Sequence, residues 1–109
     1  MVEIKIEGEL WDKMLSLHCL NEIEWKELEY SVNVSSDNFA DRVRQDYPVL
    51  SEDDIHIILL MRIDMKNSKI AKMLHILPTS FRMRRYRLKK KMNLDCTSLS
   101  DFIRKLYVL

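Results

Sequence analysis

The chain has 109 residues, of which 47% are hydrophobic, with a single Gly and two Pro. This is enough for one domain around one core, and it supplies too few turn formers for a strand-rich fold. The net charge of +1 conceals an asymmetry, since residues 1–61 carry five Lys/Arg and fourteen Asp/Glu while residues 62–109 carry thirteen and three. A half this basic is typical of a protein that binds a polyanion.

Residues 1–48 are predicted to be an acidic, helical lead-in segment. Its first apolar residues, Val2, Ile4 and Ile6, alternate with charged residues, which is the period of a short strand. Helical spacing then follows in a second apolar set, which comprises Leu10, Trp11, Met14, Leu15 and Leu17. The segment is therefore predicted to begin with one short strand and one short helix.

Polar capping residues mark the next two predicted helices. Asn21 is the predicted N-cap of a helix that runs to about Ser31. A cap cluster made of Ser35, Ser36 and Asp37 precedes another helix, which Pro48 closes. Four acids of the first helix, Glu22, Glu24, Glu27 and Glu29, spread around it, and we interpret them as a solvated face rather than as paired catalytic carboxylates.

Residues 49–109 are predicted to contain four further helices, so the fold class is all-α. Ser51 caps the first of these helices. The second covers Asn67–Met73, a tight turn contains His75 and Ile76, and the third begins at Pro78 and runs to about Lys91. Ser98 or Ser100 caps the last helix. The second and third helices have the spacing of a helix-turn-helix, whose second helix enters the major groove of DNA.

The third of these helices is strongly basic, with seven Lys/Arg within residues 82–91. Its apolar residues Phe81, Leu88 and Met92 recur at spacings of seven and four, so they are predicted to face the core. The opposite side carries Thr79, Arg82, Met83, Tyr86 and Lys90. This side is predicted to face the DNA groove.

With these residues placed, residues 50–94 resemble the LuxR/GerE-type DNA-binding domain of bacterial transcription regulators. The landmarks are Leu50, Ser51, Asn67, Ile70, Ala71, Leu74, Ile76, Ser80, Phe81, Arg82, Leu88, Lys91 and Met92. Four positions differ. The family usually has Gly where Asp64 stands, an acid where Lys69 stands and a capping Ser where Leu77 stands, and it often has His where Arg84 stands. Because Leu77 has no capping oxygen, either Thr79 starts the helix or the helix end frays.

The resemblance implies a four-helix DNA-binding domain over residues 49–109. It assigns base reading to Arg82, Met83 and Tyr86. Phosphate contacts are expected from a wider set of polar residues, which comprises Lys66, Lys69, Thr79, Arg85, Lys89 and Lys90. It also implies a homodimer formed through the helix over residues 98–106, bounded by Ser98 and Leu106. The expected partner is double-stranded DNA.

The sequence gives no support to an enzyme. The three His and two Cys show neither metal-ligand nor redox spacing, and no Gly-rich loop suggests nucleotide binding. No cofactor and no metal is expected. The chain also lacks a secretory signal and an apolar run near the roughly 20 residues that cross a bilayer, so we expect a cytoplasmic protein without membrane contact.

Two alternative functions remain open. One is a polymerase-associated module like sigma-factor region four, whose partner is RNA polymerase. The other is a degenerate helix-turn-helix used for protein interaction, in which the acidic lead-in segment docks a basic partner.

Overall fold

The computed structural model describes Ile6, residues 8–16 and residues 19–108, with Leu15 described by its backbone only. These residues form seven helices and no strand, which confirms the all-α prediction. The helices are α1 (Gly8–Leu15), α2 (Glu22–Ser35), α3 (Phe39–Asp46), α4 (Glu52–Arg62), α5 (Asn67–Met73), α6 (Pro78–Lys91) and α7 (Leu99–Lys105). The strand predicted near the N-terminus lies, apart from Ile6, outside the described residues.

Helix α4 is the centre of the core. Residues 57–61 are apolar on every side of this helix, and each of their side chains is at most 1% exposed. A helix that is apolar all round must be covered on all sides, and α2, α3, α5 and α7 pack around it. Buried side chains from all seven helices join one continuous core cluster. The lead-in helices and the basic helices therefore share the same core.

Three of the predicted N-caps are confirmed. The side chain of Asn21 accepts the Glu24 amide hydrogen at an N to O distance of 2.8 Å, and Ser51 accepts that of Asp54 at 3.1 Å. Both helices have a complete capping box, because the third helical residue bonds back to the cap amide in each. Ser98, rather than Ser100, caps α7.

The junction between α2 and α3 differs from the prediction. Helix α2 continues to Ser35, one turn further than expected, and the N-cap of α3 is Asn38 rather than the preceding serine cluster. Asn38 makes no side-chain capping bond. Instead, Asn33 of α2 accepts the Ala40 amide hydrogen at 2.7 Å. An amide in the first turn of α3 thus obtains its hydrogen-bond acceptor from α2.

Left-handed backbone conformations end several helices. Among the described non-Gly residues, a positive φ is found at Asp37, Asn38, Asp64, His75, Asn93 and Tyr107. Asp64, with φ 68°, follows α4 at the position where the LuxR/GerE-type domains that this sequence resembles usually have Gly. His75, with φ 56°, forms the predicted turn between α5 and α6. Asp, Asn and His tolerate this conformation better than most side chains. They take the place of Gly in a chain that has only one.

Helix α6 begins at Pro78, as predicted, and Leu77 is its N-cap. Thr79 lies inside the first turn, so the alternative that the helix starts at Thr79 is wrong. The side chain of Leu77 makes no capping bond and is 69% exposed. Pro78 limits the cost of this weak cap, because its missing N–H removes one of the donors that a cap would have to satisfy.

Replacing Leu77 with Ser is expected to raise the free energy of unfolding by about 0.5 to 1 kcal/mol. The exposed Leu77 side chain contributes little burial, whereas a Ser hydroxyl can accept an amide hydrogen of the first turn. Urea unfolding measures the change. Leu77→Ala is the matched control, since it removes the same side chain and adds no acceptor; equal stability of the two variants would contradict a capping effect.

Candidate nucleic-acid interface

The two sides of α6 are separated as the sequence predicts. Phe81, Leu88 and Met92 are 1 to 3% exposed and face the core. Met83 and Tyr86 are 50% and 52% exposed. Arg82, Thr79 and Lys90 are exposed as well. The three predicted base-reading residues therefore share the outer surface of α6.

The basic side chains of α6 have few acidic partners. Within residues 8–16 and 19–108, only one of the seven forms a salt bridge: Lys91 Nζ lies 2.7 Å from Asp54 Oδ2. Burial acts to raise the pKa of Asp54, but the bonds from Lys91 and Ser51 outweigh it and lower that pKa overall. The pair joins the end of α6 to the start of α4, so Lys91 has a structural role.

Three of the predicted phosphate-binding residues contact the protein itself. Lys89 donates a hydrogen bond to the carbonyl oxygen of Cys96. The Arg85 guanidinium lies over the Phe81 ring, 5.2 Å from its centroid, and the Lys90 ammonium lies 4.6 Å from the Tyr86 ring centroid. Arg85 and Lys89 are half-buried, whereas Lys90 is exposed. Lys90 is thus better placed than Arg85 or Lys89 to reach an extended phosphate backbone.

The other predicted phosphate-binding residues lie at the starts of α5 and α6. Lys66 is the N-cap residue of α5 and Lys69 lies in its first turn, and both are exposed. Thr79 is exposed at the second position of α6. Neither helix has an acidic residue in its first turn. Lys66 and Lys69 therefore add positive charge at the start of α5, and Thr79 adds an exposed hydroxyl at the start of α6.

Arg62 belongs to the basic half by sequence, but it is a core residue. It is 7% exposed, and its Nη1 donates to the carbonyl oxygens of Ile103 at 2.8 Å and Leu106 at 2.7 Å. A third bond reaches the Arg104 carbonyl at 3.2 Å, and the guanidinium lies 4.3 Å from the Phe39 ring centroid. Burial, together with the nearby charge of Arg42, lowers the pKa of Arg62. Its position after an apolar run is the only local sign of this role.

The acidic lead-in is partly neutralised by internal pairs. Arg44 lies 2.6 Å from Glu29 and 3.1 Å from Glu52, and these bonds raise the pKa of Arg44. Glu24 is 8% exposed, bonds to the Asn21 amide and pairs with Lys13. Interpreting the glutamates of α2 as one solvated face was therefore wrong for Glu24 and Glu29. In the described part of the chain, no group of three or more His, Cys, Asp or Glu side chains is placed to hold a metal ion.

His56 is stacked on Trp25, with ring centroids 3.9 Å apart and planes 4° apart. Burial lowers the pKa of His56 from its ordinary value of 6.5. The carboxylates of Asp53, Glu52 and Glu29 oppose this shift, and Arg44 adds to it. The neutral imidazole is therefore the form that the folded protein favours.

We expect the stability of the protein to fall between about pH 7 and pH 5 because of His56. Its pKa is lower in the folded chain than in the unfolded one, so its contribution is complete above the unfolded pKa and is lost as pH falls through the folded pKa. His56→Phe keeps a ring against Trp25 and should flatten this pH dependence in thermal melts. His75→Asn, at an exposed turn residue, should leave the dependence unchanged; an equal flattening in both variants would contradict the assignment.

Helix α7 places its apolar residues inside the protomer. Leu99 and Ile103 are 4% and 0% exposed, and the helix packs on α4. Its exposed residues, Asp101, Arg104 and Lys105, are charged. Dimer formation through this helix would thus rely on these charged side chains and on half-buried residues such as Phe102 and Leu106.

No family model, curated protein or solved structure matches this chain. The search for membrane spans likewise gives a negative result: within the described ranges, no helix combines the length and apolar character that crossing a bilayer requires.

Proposed function

We propose that this chain binds double-stranded DNA in a sequence-dependent way through α6, as the output domain of a bacterial transcription regulator of the LuxR/GerE type. The observation that carries the proposal is the outer surface of α6. There, Arg82, Met83 and Tyr86 are exposed, and Arg82 is one of the six basic residues of α6 that have no acidic partner within the described ranges. Helix α6 packs on the core through its apolar side and exposes positive charge on the other side. Such a surface favours an anionic partner such as a groove of DNA.

The three outer residues suit the edges of base pairs. The Arg82 guanidinium can donate two parallel hydrogen bonds to a guanine, and Met83 can contact a thymine methyl group. Tyr86 can reach a base or a phosphate. Lys66, Lys69, Thr79 and Lys90 would hold the backbone on either side, and such contacts position the protein without reading sequence. Specificity is thereby assigned to the middle of α6.

Selection of bound sequences from a random duplex pool tests the proposal. The Arg82→Ala variant tests which side of α6 faces the bases. This variant should bind the best selected site more weakly by about 1 to 3 kcal/mol and should lose its preference at one base pair. Arg87→Ala is the matched control, because it removes an equal charge from an exposed residue of the same helix that is not among the predicted base-reading residues. It should weaken all duplexes alike. If Arg87→Ala altered the sequence preference and Arg82→Ala did not, the prediction that Arg82 faces the bases would be contradicted.

A second candidate function, protein interaction, is favoured by an apolar stripe on α2. Ile23, Tyr30 and Val34 are 69%, 71% and 67% exposed, and their spacings of seven and four place them on one side of the helix. An exposed apolar surface of this kind suits contact with another protein. It is compatible with a degenerate helix-turn-helix used for protein interaction and with a module that docks on RNA polymerase. Failure to bind any duplex at low salt, together with co-purification of polymerase or another protein, would favour this candidate.

Homodimer formation through α7 and a cytoplasmic location complete the proposal. A single recognition helix covers few base pairs, so a dimer on paired half-sites is the usual route to useful affinity. Sedimentation of the chain with and without a selected duplex tests the dimer.

A further inference from the structure

A cleft of about 340 Å³ lies between α6 and the start of α7. Arg82, Arg85 and Lys89 line one wall of this cleft, whereas Thr97, Ser98 and Ser100 are among the residues on the other. The three cations follow one another at spacings of three and four, so they share a single flank of α6. Of the described residues that line the cleft, none is acidic. The cleft therefore combines positive charge with hydroxyl groups.

The two arginines of the cleft lack partners for their donors. Neither Arg82 nor Arg85 forms a salt bridge with a described residue, and Arg85 Nε is buried without an acceptor in the same part of the chain. Burial and the charge of Arg82 lower the pKa of Arg85. A buried donor without an acceptor costs free energy, and two adjacent cations repel each other. An anion in the cleft would offset the repulsion between the two guanidinium groups, and its oxygens are acceptors that these groups lack in the described structure.

We propose that this cleft binds a phosphate group. Guanidinium groups and hydroxyls are the donors that phosphate oxygens accept best, and Arg suits bidentate contact with them. The volume exceeds that of one phosphate, so the group can be part of an ester. Its source is either the backbone of a bound nucleic acid or a small phosphorylated compound. The proposal does not depend on DNA binding, because the cleft is built from the chain alone.

Titration of the full, isotope-labelled chain with inorganic phosphate tests the proposal by NMR at constant ionic strength. We expect saturable shifts of the Arg85 Nε–H resonance and of the Ser98 and Ser100 amides. Arg85→Gln should weaken phosphate binding by about ten-fold, the usual effect of one charged hydrogen bond. The matched control is Arg87→Gln, which removes an equal charge that does not line the cleft and should change the affinity less than about two-fold.

Arg82→Gln is the second variant, because Arg82 is exposed and its loss should not disturb folding. Unchanged phosphate affinity in a folded Arg82→Gln and Arg85→Gln would overturn the proposal. Shifts that spread over all the basic residues without saturation would do the same.

Adding a random duplex to the phosphate-loaded chain distinguishes the two sources. If a backbone phosphate fills the cleft, the duplex displaces inorganic phosphate; if a small compound fills it, the phosphate shifts persist at saturating duplex. Phosphate binding without any duplex binding would remove the proposed function and leave the cleft in place. Duplex binding without saturable shifts in the cleft would support the proposed function and overturn the proposal of a phosphate-binding cleft.

Discussion

The affinity of the chain for random duplex DNA is expected to fall by about 250- to 1,000-fold as monovalent salt rises from about 50 to about 200 mM. Binding that neutralises about four to six phosphates releases the condensed cations, which gives a slope of log K against log salt of roughly −4 to −5. The expectation depends on the six basic residues of α6 without acidic partners in the described structure.

Fluorescence anisotropy of a labelled duplex at five or more salt concentrations measures this slope. Replacing the exposed Lys66, Lys69 and Lys90 together with Gln should reduce its magnitude by about 3, since each phosphate contact contributes about 1. Lys26→Gln is the control, because Lys26 is exposed on α2, where its nearest ionic partner is Glu22. A slope near zero for the wild-type chain would exclude phosphate-driven binding.

Replacing Arg62 with Met is expected to lower the free energy of unfolding by about 2 to 4 kcal/mol. Met fills much of the same volume but leaves the carbonyl oxygens of Ile103, Arg104 and Leu106 without their common donor. The contact with the Phe39 ring is lost as well. Without the guanidinium, these carbonyl oxygens at the end of a helix can accept replacement hydrogen bonds only from water that reaches them.

Urea unfolding followed by circular dichroism measures this loss. Arg87→Met is the matched control, because Arg87 is exposed on α6 and its replacement should change stability by less than about 0.5 kcal/mol. Arg62→Lys keeps a positive charge but cannot reproduce the guanidinium geometry, so it should lose an intermediate amount. If Arg62→Met were as stable as the control, the buried guanidinium would not be what holds the end of α7 on α4.

Local chemistry made much of the fold predictable. The caps Asn21, Ser51 and Ser98 are side chains that bond to amides only three residues away, so the sequence contains both partners. The bounds of α5 and α6 follow from a tight turn at His75 and from Pro78, which fixes its own φ. The buried side of α6 follows from helical period alone.

Contacts between distant residues were not predictable. Arg62 meets carbonyls more than 40 positions away, and Lys91 meets Asp54 across 37 positions. A single sequence carries no local signal for such pairs, so each of these basic residues resembled a surface charge. The cleft lined by Arg85 and Lys89 was missed for the same reason, since its second wall comes from the start of α7.

The residues that end α4 and α5 in left-handed conformations have a consequence for adaptation on binding. Asp64 and His75 carry a Cβ where Gly would otherwise stand, and a side chain restricts the backbone far more than Gly does. The backbone on both sides of α5 therefore has fewer accessible conformations than it would have with Gly, so we expect the orientation of α6 to change little on binding. In the proposed complex, most of the adjustment would fall on the duplex. Flexible base steps would then be favoured even at positions that no side chain touches.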